Sequence, residues 1–156
     1  ATLGLKLPMI HERGAHREFV IEGEPPVSRS ITDIDGGYAF TPMRGRMRLT
    51  CGVRIDSHQA PPSTVQLDLV EAAVKQAVDL GPRTNKADWH GARPTLPDCI
   101  PAIGRLPLPD LWLATGNQHM GFASGPASGE LLADLLTGRK PAIDPAPFDP
   151  ARFRLS

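Results

Sequence analysis

The chain has 156 residues, with 17 Lys+Arg against 17 Asp+Glu and a hydrophobic share of 40%. That length and composition fit an ordinary folded domain with enough apolar material for a core, which excludes wholesale disorder. The zero formal charge excludes a general nucleic-acid binder, which needs a basic excess to hold phosphates. No apolar run reaches the roughly 20 residues that span a bilayer, and no charged-then-apolar export signal opens the chain. Cys51 and Cys99 stand alone and far apart, forming neither a disulfide framework nor a CxxC site, in keeping with a reducing compartment.

The first third predicts strands. Arg17–Glu22 is a short polar–apolar run, and Ser28–Ile34 has the β-branched content of a strand. Asp35-Gly36-Gly37 supplies positive-φ residues for a hairpin turn into a strand over Tyr38–Thr41. From Arg46 to Ile55 the chain alternates with period two, placing Met47, Leu49, Cys51, Val53 and Ile55 on one face. The expectation is a mixed or antiparallel sheet with one wet side.

Residues 64–80 carry Val70, Ala73, Val74, Ala77 and Leu80 at helical spacing, with Ser63 and Gln66 as a capping box and Gly81-Pro82 as the stop. Residues 83–110 are rich in turn-formers, among them Pro94, Pro97, Pro101, Pro107 and Pro109. A buried strand is expected at Leu111–Thr115, then a loop and a second helix. Pro126 suits that helix's first turn, Leu131, Leu132, Leu135 and Leu136 its apolar stripe, and Gly138 its end. Beyond Pro141 the tail reads as extended chain.

Several chemistries lack their residues. No G-x-G-x-x-G follows a strand, no G-x-x-x-x-G-K-[ST] occurs, and no G-x-S-x-G elbow supports a nucleophilic serine. His11, His16, His58, His90 and His119 show no paired metal-ligand spacing, so no metal site is expected. Arg44, Arg46 and Arg48 read as a solvated strand face, and His11, His16 and His58 as structural residues.

Two segments stand out. In Thr115–Pro126 a strand ends in a glycine-bracketed loop opening a helix, a geometry that brings backbone close to a flat ligand and aims free N–H groups at negative charge. Its plainer meaning is a strand-to-helix turn whose glycines serve only their dihedrals. In Trp89–Asp98, Arg93 lies between small residues and Pro94. A guanidinium so held can fork a carboxylate, although a surface arginine in a proline-rich loop would look the same.

Taken together, Trp89, Gly91, Arg93, Pro94, Pro97, Asp98, Pro101, Ile103 and Gly104 follow the order W-x-G-x-R-P-x-x-P-D-x-x-P-x-I-G. After them come Gly116 to Gly121, then Phe148 and Arg152-Phe153. This set resembles the C-terminal part of the D-amino-acid oxidase superfamily, closest to its bacterial FAD-dependent D-amino-acid dehydrogenase-like branch. Pro8 and Arg13-Gly14-Ala15-His16 look like the start of the same family's substrate-domain sheet.

The resemblance implies an α+β fragment of a two-domain flavoprotein. Residues 1–88 would form a substrate-domain sheet with a helix, and residues 89–156 the C-terminal strand–loop–helix segment of an FAD-binding domain. The family's glycine fingerprint lies near its N-terminus, so the chain is expected to be the tail of a flavoenzyme about two to three times longer. The cofactor implied is non-covalent FAD, whose ADP-binding part lies outside this chain.

By position, Arg93 matches the arginine that pairs with the substrate carboxylate, and Gly116, Asn117, Gln118, His119, Met120 and Gly121 match the loop along the flavin. The helix entered at Gly125-Pro126 would turn its positive end to the flavin's pyrimidine edge. The implied reaction is oxidation of the C–N bond of a D-amino or cyclic imino acid by hydride transfer, with no strong protein base and no catalytic side chain assigned. Gly91 and Ala123 stand where sarcosine oxidase-like members carry a flavin-attaching cysteine and a carboxylate-anchoring lysine. Asn117 replaces a usual histidine, and Ala15 a common tyrosine.

Partners implied are a small amino or imino acid and a missing N-terminal FAD-binding domain or partner chain. Without that domain the apolar surface of the leucine helix would invite oligomerisation. The alternative expectation is a catalytically silent remnant or interaction subunit that docks onto a chain carrying the dinucleotide-binding domain. The family's location is cytoplasmic or peripheral at the inner membrane.

Overall fold

A computed structural model describes residues 4–154. The elements in chain order are β1 (Ile10–Val20), β2 (Ile31–Asp33), β3 (Tyr38–Met43), β4 (Arg46–Ile55), α1 (Val65–Val74), β5 (Trp89–Thr95), β6 (Ala102–Arg105), β7 (Trp112–Thr115) and α2 (Gly121–Thr137). The fold is α+β. Five strands form a sheet in the order β2-β3-β4-β1-β5, and β6 and β7 form a two-stranded one. Neither described helix is long and apolar enough to cross a membrane.

Two compact units divide the chain: Arg13–Ala92, and the residues up to Glu12 together with those from Arg93 onward. Strands β1 and β5 run through the division.

In the unit Arg13–Ala92, β2, β3 and β4 form an antiparallel meander, with Phe40 opposite both Ile31 and Leu49. Gly37 takes φ +66 in the hairpin turn between β2 and β3, where the amide of Gly36 donates to Asp33 at 2.8 Å. Phe19, Phe40, Met47, Leu49, Val74 and Leu80 form the main core cluster, and Ala15, Cys51 and Leu67 a second. Burial of these side chains follows the period-two pattern of β1 and β4 and the inner face of α1.

That pattern stops at Cys51. Val53 and Ile55, expected on the core face, are 50% and 71% exposed. Gly52 sits at φ +62 with the Gln66 side chain filling the space a Cβ would need. A positive φ breaks the alternation, so the side chains beyond it do not continue the buried row.

Helix α1 is shorter than its apolar spacing predicts. Regular helix ends at Val74, and bonds from the amides of Gln76 and Ala77 to Ala73 and Val74 close tighter turns before Gly81 at φ +67. The expected capping box does not form. Thr64 is the N-cap residue, and its hydroxyl donates to Asp68 at 2.9 Å instead of capping an amide.

Arg17, 4% exposed, lies within this core. Its guanidinium donates to both Asp88 oxygens at 2.8 and 2.6 Å, to Glu71 at 2.6 Å and to Asp68 at 2.9 Å. Lys75 and Arg83 complete the pairing of Glu71 at 2.6 and 2.9 Å. Asp88 first, then Glu71 and Asp68, hold the Arg17 guanidinium in its charged form more firmly than usual. Burial alone would raise the Glu71 carboxyl, but hydrogen bonds from Lys75, Arg83 and Arg17 outweigh it and bring the carboxyl to about 2. Arg46 and Arg48 are also more than a solvated face: both pair with Glu18, at 3.4 and 2.9 Å.

In the other unit, β6 and β7 pair antiparallel from Ala102 opposite Thr115 to Arg105 opposite Trp112. Trp112, Leu113 and Thr115 are half-buried and Ala114 exposed, so β7 is less covered than its sequence predicts. Helix α2 begins at Gly121, not at Pro126, which is its sixth residue. The amide that proline lacks would have served the carbonyl of Phe122, whose side chain is fully exposed, so the defect falls in the open first turns. Gly138 ends the helix at φ +68. The tail is not extended: it makes 3₁₀ turns over Ala146–Phe148 and Pro150–Phe153. Arg152 fastens it, bonding Asp98 at 2.7 Å and the Ile100 carbonyl at 2.6 Å.

Candidate functional site

Arg93 lies on β5 and is half-buried. Its guanidinium has no hydrogen bond or ion pair with any described residue. Most arginines of this chain are committed elsewhere, as Arg17, Arg48 and Arg152 show. A half-buried cation without an anion is set to receive one.

The glycine-bracketed loop is fastened beside it. Gln118, at φ +53, donates its amide to the carbonyl of Pro94 at 3.1 Å. The loop is thus bonded to the residue that follows Arg93. Gly116 makes the tight start possible: it has φ +83, and a Cβ would lie 2.6 Å from Leu96 Cδ1. The amide of Met120 closes a turn on the Asn117 carbonyl at 3.0 Å. Asn117 Oδ1 accepts from the hydroxyls of Ser124 and Ser128 at 3.4 and 3.3 Å, securing the loop to the first turns of α2. His119 and Met120 are exposed, at 59% for the histidine side chain and 55% for Met120.

These six residues and Arg93 therefore belong to one locality of one unit. Asn117 among them has its own bonding partners in Ser124 and Ser128.

Sequence reasoning missed Glu12, on β1. Its Oε2 is buried without a hydrogen-bond partner among the described residues. The facing His119 Nδ1 lies 3.9 Å away, beyond hydrogen-bond reach. The available signal was the polar character of alternate β1 positions Glu12, His16 and Glu18. Thr95, two residues after Arg93, also has a buried hydroxyl without a partner.

The loop suits a flat, electron-rich cofactor edge. Gly116 is packed under Leu96, Gly121 carries no side chain, and the first turn of α2 carries no acidic side chain. Free amides and the positive helix end are left open there.

The sequence profile of the family described as "FAD dependent oxidoreductase" matches residues 1–135. The chain belongs to that family. It is 44% identical over 151 residues to a glycine oxidase of Pseudomonas aeruginosa, covering 96% of this chain and 41% of that protein. It is 32% identical over 145 residues to a D-amino acid dehydrogenase of Paramagnetospirillum magneticum, covering 90% of this chain and 34% of that protein. Among solved structures, glycine oxidase from Geobacillus kaustophilus superposes with a TM-score of 0.75 at 25% identity, over 94% of this chain and 40% of that one. The chain therefore spans less than half the length of these relatives.

Proposed function

We propose that this chain is the carboxy-terminal part of an FAD-dependent enzyme that oxidises the C–N bond of D-amino or cyclic imino acids by hydride transfer. Its resemblance to a D-amino acid dehydrogenase over 90% and to a glycine oxidase over 96% of its length supports that class. The observation that carries it in the structure is the bond from the Gln118 amide to the Pro94 carbonyl, which sets an unpaired Arg93 beside the loop suited to a flavin edge.

FAD, when bound, supplies the electron sink of the reaction. Arg93 grips the substrate carboxylate and so fixes which C–H bond is presented. Gly116, Asn117, Gln118, His119, Met120 and Gly121 line the cofactor, and the amides opening α2 favour negative charge there. The ADP half of the cofactor is held outside these residues, by an N-terminal dinucleotide-binding domain or a partner chain.

A second reading, a catalytically silent subunit that docks onto such a chain, draws on the full exposure of Phe122 and the half exposure of Met120 and Leu136. Anaerobic mixing of the FAD-loaded protein carrying this chain with D-alanine, D-proline and hydroxy-D-proline separates the two. Bleaching of the flavin absorbance by at least one supports the enzyme. No bleaching by any amino or imino acid, with flavin bound, favours the silent subunit.

A further inference from the structure

We propose that Glu12 receives the amino group of the substrate and completes, with Arg93, a pair of opposite charges matched to a zwitterion. This rests on Arg93 being the carboxylate anchor.

Strand alternation establishes which way the two residues point. On β1, Ala15, Arg17 and Phe19 are buried on the side of the sheet covered by α1. Glu12, Gly14, His16 and Glu18 therefore belong to the opposite side. On β5, Trp89 stacks on His16 with ring centroids 5.0 Å apart and an interplanar angle of 12°. The odd-numbered residues Trp89, Gly91 and Arg93 share that helix-free side. The even-numbered His90 lies on the other side, lining a water-sized cavity with Gln66 of α1. Because β1 and β5 are neighbours in the sheet, Glu12 and Arg93 stand on one face of adjacent strands.

Each is also electrically incomplete. Glu12 is 18% exposed, yet its Oε2 has lost water without gaining a donor, a state that folded proteins rarely leave uncompensated. Arg93 has donors and no acceptor among the described residues. The two do not pair with each other. An α-amino or α-imino acid carries the missing donor and the missing acceptor one carbon apart. A simple carboxylic acid supplies only the acceptor and leaves Glu12 as it is. Glu12 thus selects for the amine, while Arg93 accepts any carboxylate.

The test uses the FAD-loaded protein carrying this chain, with ligand binding followed by perturbation of the flavin spectrum. Two probes are compared: an amino acid that is turned over, and the simple carboxylic acid of the same skeleton, with hydrogen in place of the amine. Glu12→Gln is expected to raise KM for the amino acid roughly 10- to 100-fold, the scale of a lost charge-assisted hydrogen bond, while leaving the Kd of the simple carboxylic acid unchanged. Glu12→Asp, which keeps the charge, should recover part of the loss, and it carries the same comparison if Glu12→Gln does not fold. Arg93→Ala should weaken both probes. Equal weakening of both probes by Glu12→Gln, or no weakening of either, overturns the proposal while amino-acid turnover by the unaltered protein leaves the enzyme class standing. An unaltered protein that binds flavin and oxidises no amino acid defeats the enzyme class itself, and this proposal with it.

Discussion

The amide of Gln118 donates to the carbonyl of Pro94 at 3.1 Å, joining a loop to the strand residue beside Arg93. Neither member of that bond has a reactive side chain in the site, yet it sets which two functional groups are neighbours. If Arg93 grips the substrate carboxylate, Arg93→Ala in the FAD-loaded protein should raise KM far more than it lowers kcat. The expected loss in kcat/KM corresponds to about 2–5 kcal/mol. Arg93→Lys should recover only part, because an ammonium cannot fork a carboxylate. Steady-state kinetics on one substrate checks both.

Gly116 combines a φ of +83 with a side-chain contact that a Cβ would violate. Gly116→Ala should destabilise its unit by about 1–3 kcal/mol and weaken flavin retention. Denaturant midpoints and the flavin-to-protein absorbance ratio measure the two effects separately.

Glu71 supplies a pH dependence whose sign is determined. Its carboxyl is held at about 2, below the ordinary 4.5, so the folded form binds a proton less readily than the unfolded chain. The resulting stability is complete above about pH 4.5 and is lost as pH falls towards 2. It is on the order of 2–3 kcal/mol, and Glu71→Gln should flatten the dependence in that window. Thermal melts of both proteins across pH 2–6 would show whether the curves converge at the acid end.

His16 gives an optical reporter. Burial, and then the charge of Arg48, holds its imidazole below the ordinary 6.5, and its ring stacks on Trp89. In a Trp112→Phe background the remaining tryptophan fluorescence should stay level through pH 6.5 and fall only at more acidic pH, as the imidazolium forms. His16→Gln should abolish the step. A quench centred at or above 6.5 would contradict the arrangement.

The legible parts of the sequence were those where one local rule had no rival. Met47, Leu49 and Cys51 on β4, Gly37 in its turn and Gly138 at the end of α2 are of this kind. Strand β5 was hidden by Gly91 and Pro94, which read as loop residues. It lies at the edge of the described sheet, where a proline leaves no ladder bond unmade. Ala77 and Leu80 continue a helical spacing that the chain abandons at Val74, because Leu80 reaches the same core by another path. Arg93 and residues 116–121 were singled out by their motif. Nothing in the sequence singled out Glu12, since a lone strand carboxylate declares nothing until its neighbours are known.

Asp88, held by Arg17 Nε and Nη2, immediately precedes β5. The chain thus enters the Arg93-bearing segment from an electrostatic clamp, five positions upstream of the guanidinium. If the proposed function holds, a loss of turnover in Asp88→Asn is to be read as structural, because its carboxylate faces Arg17.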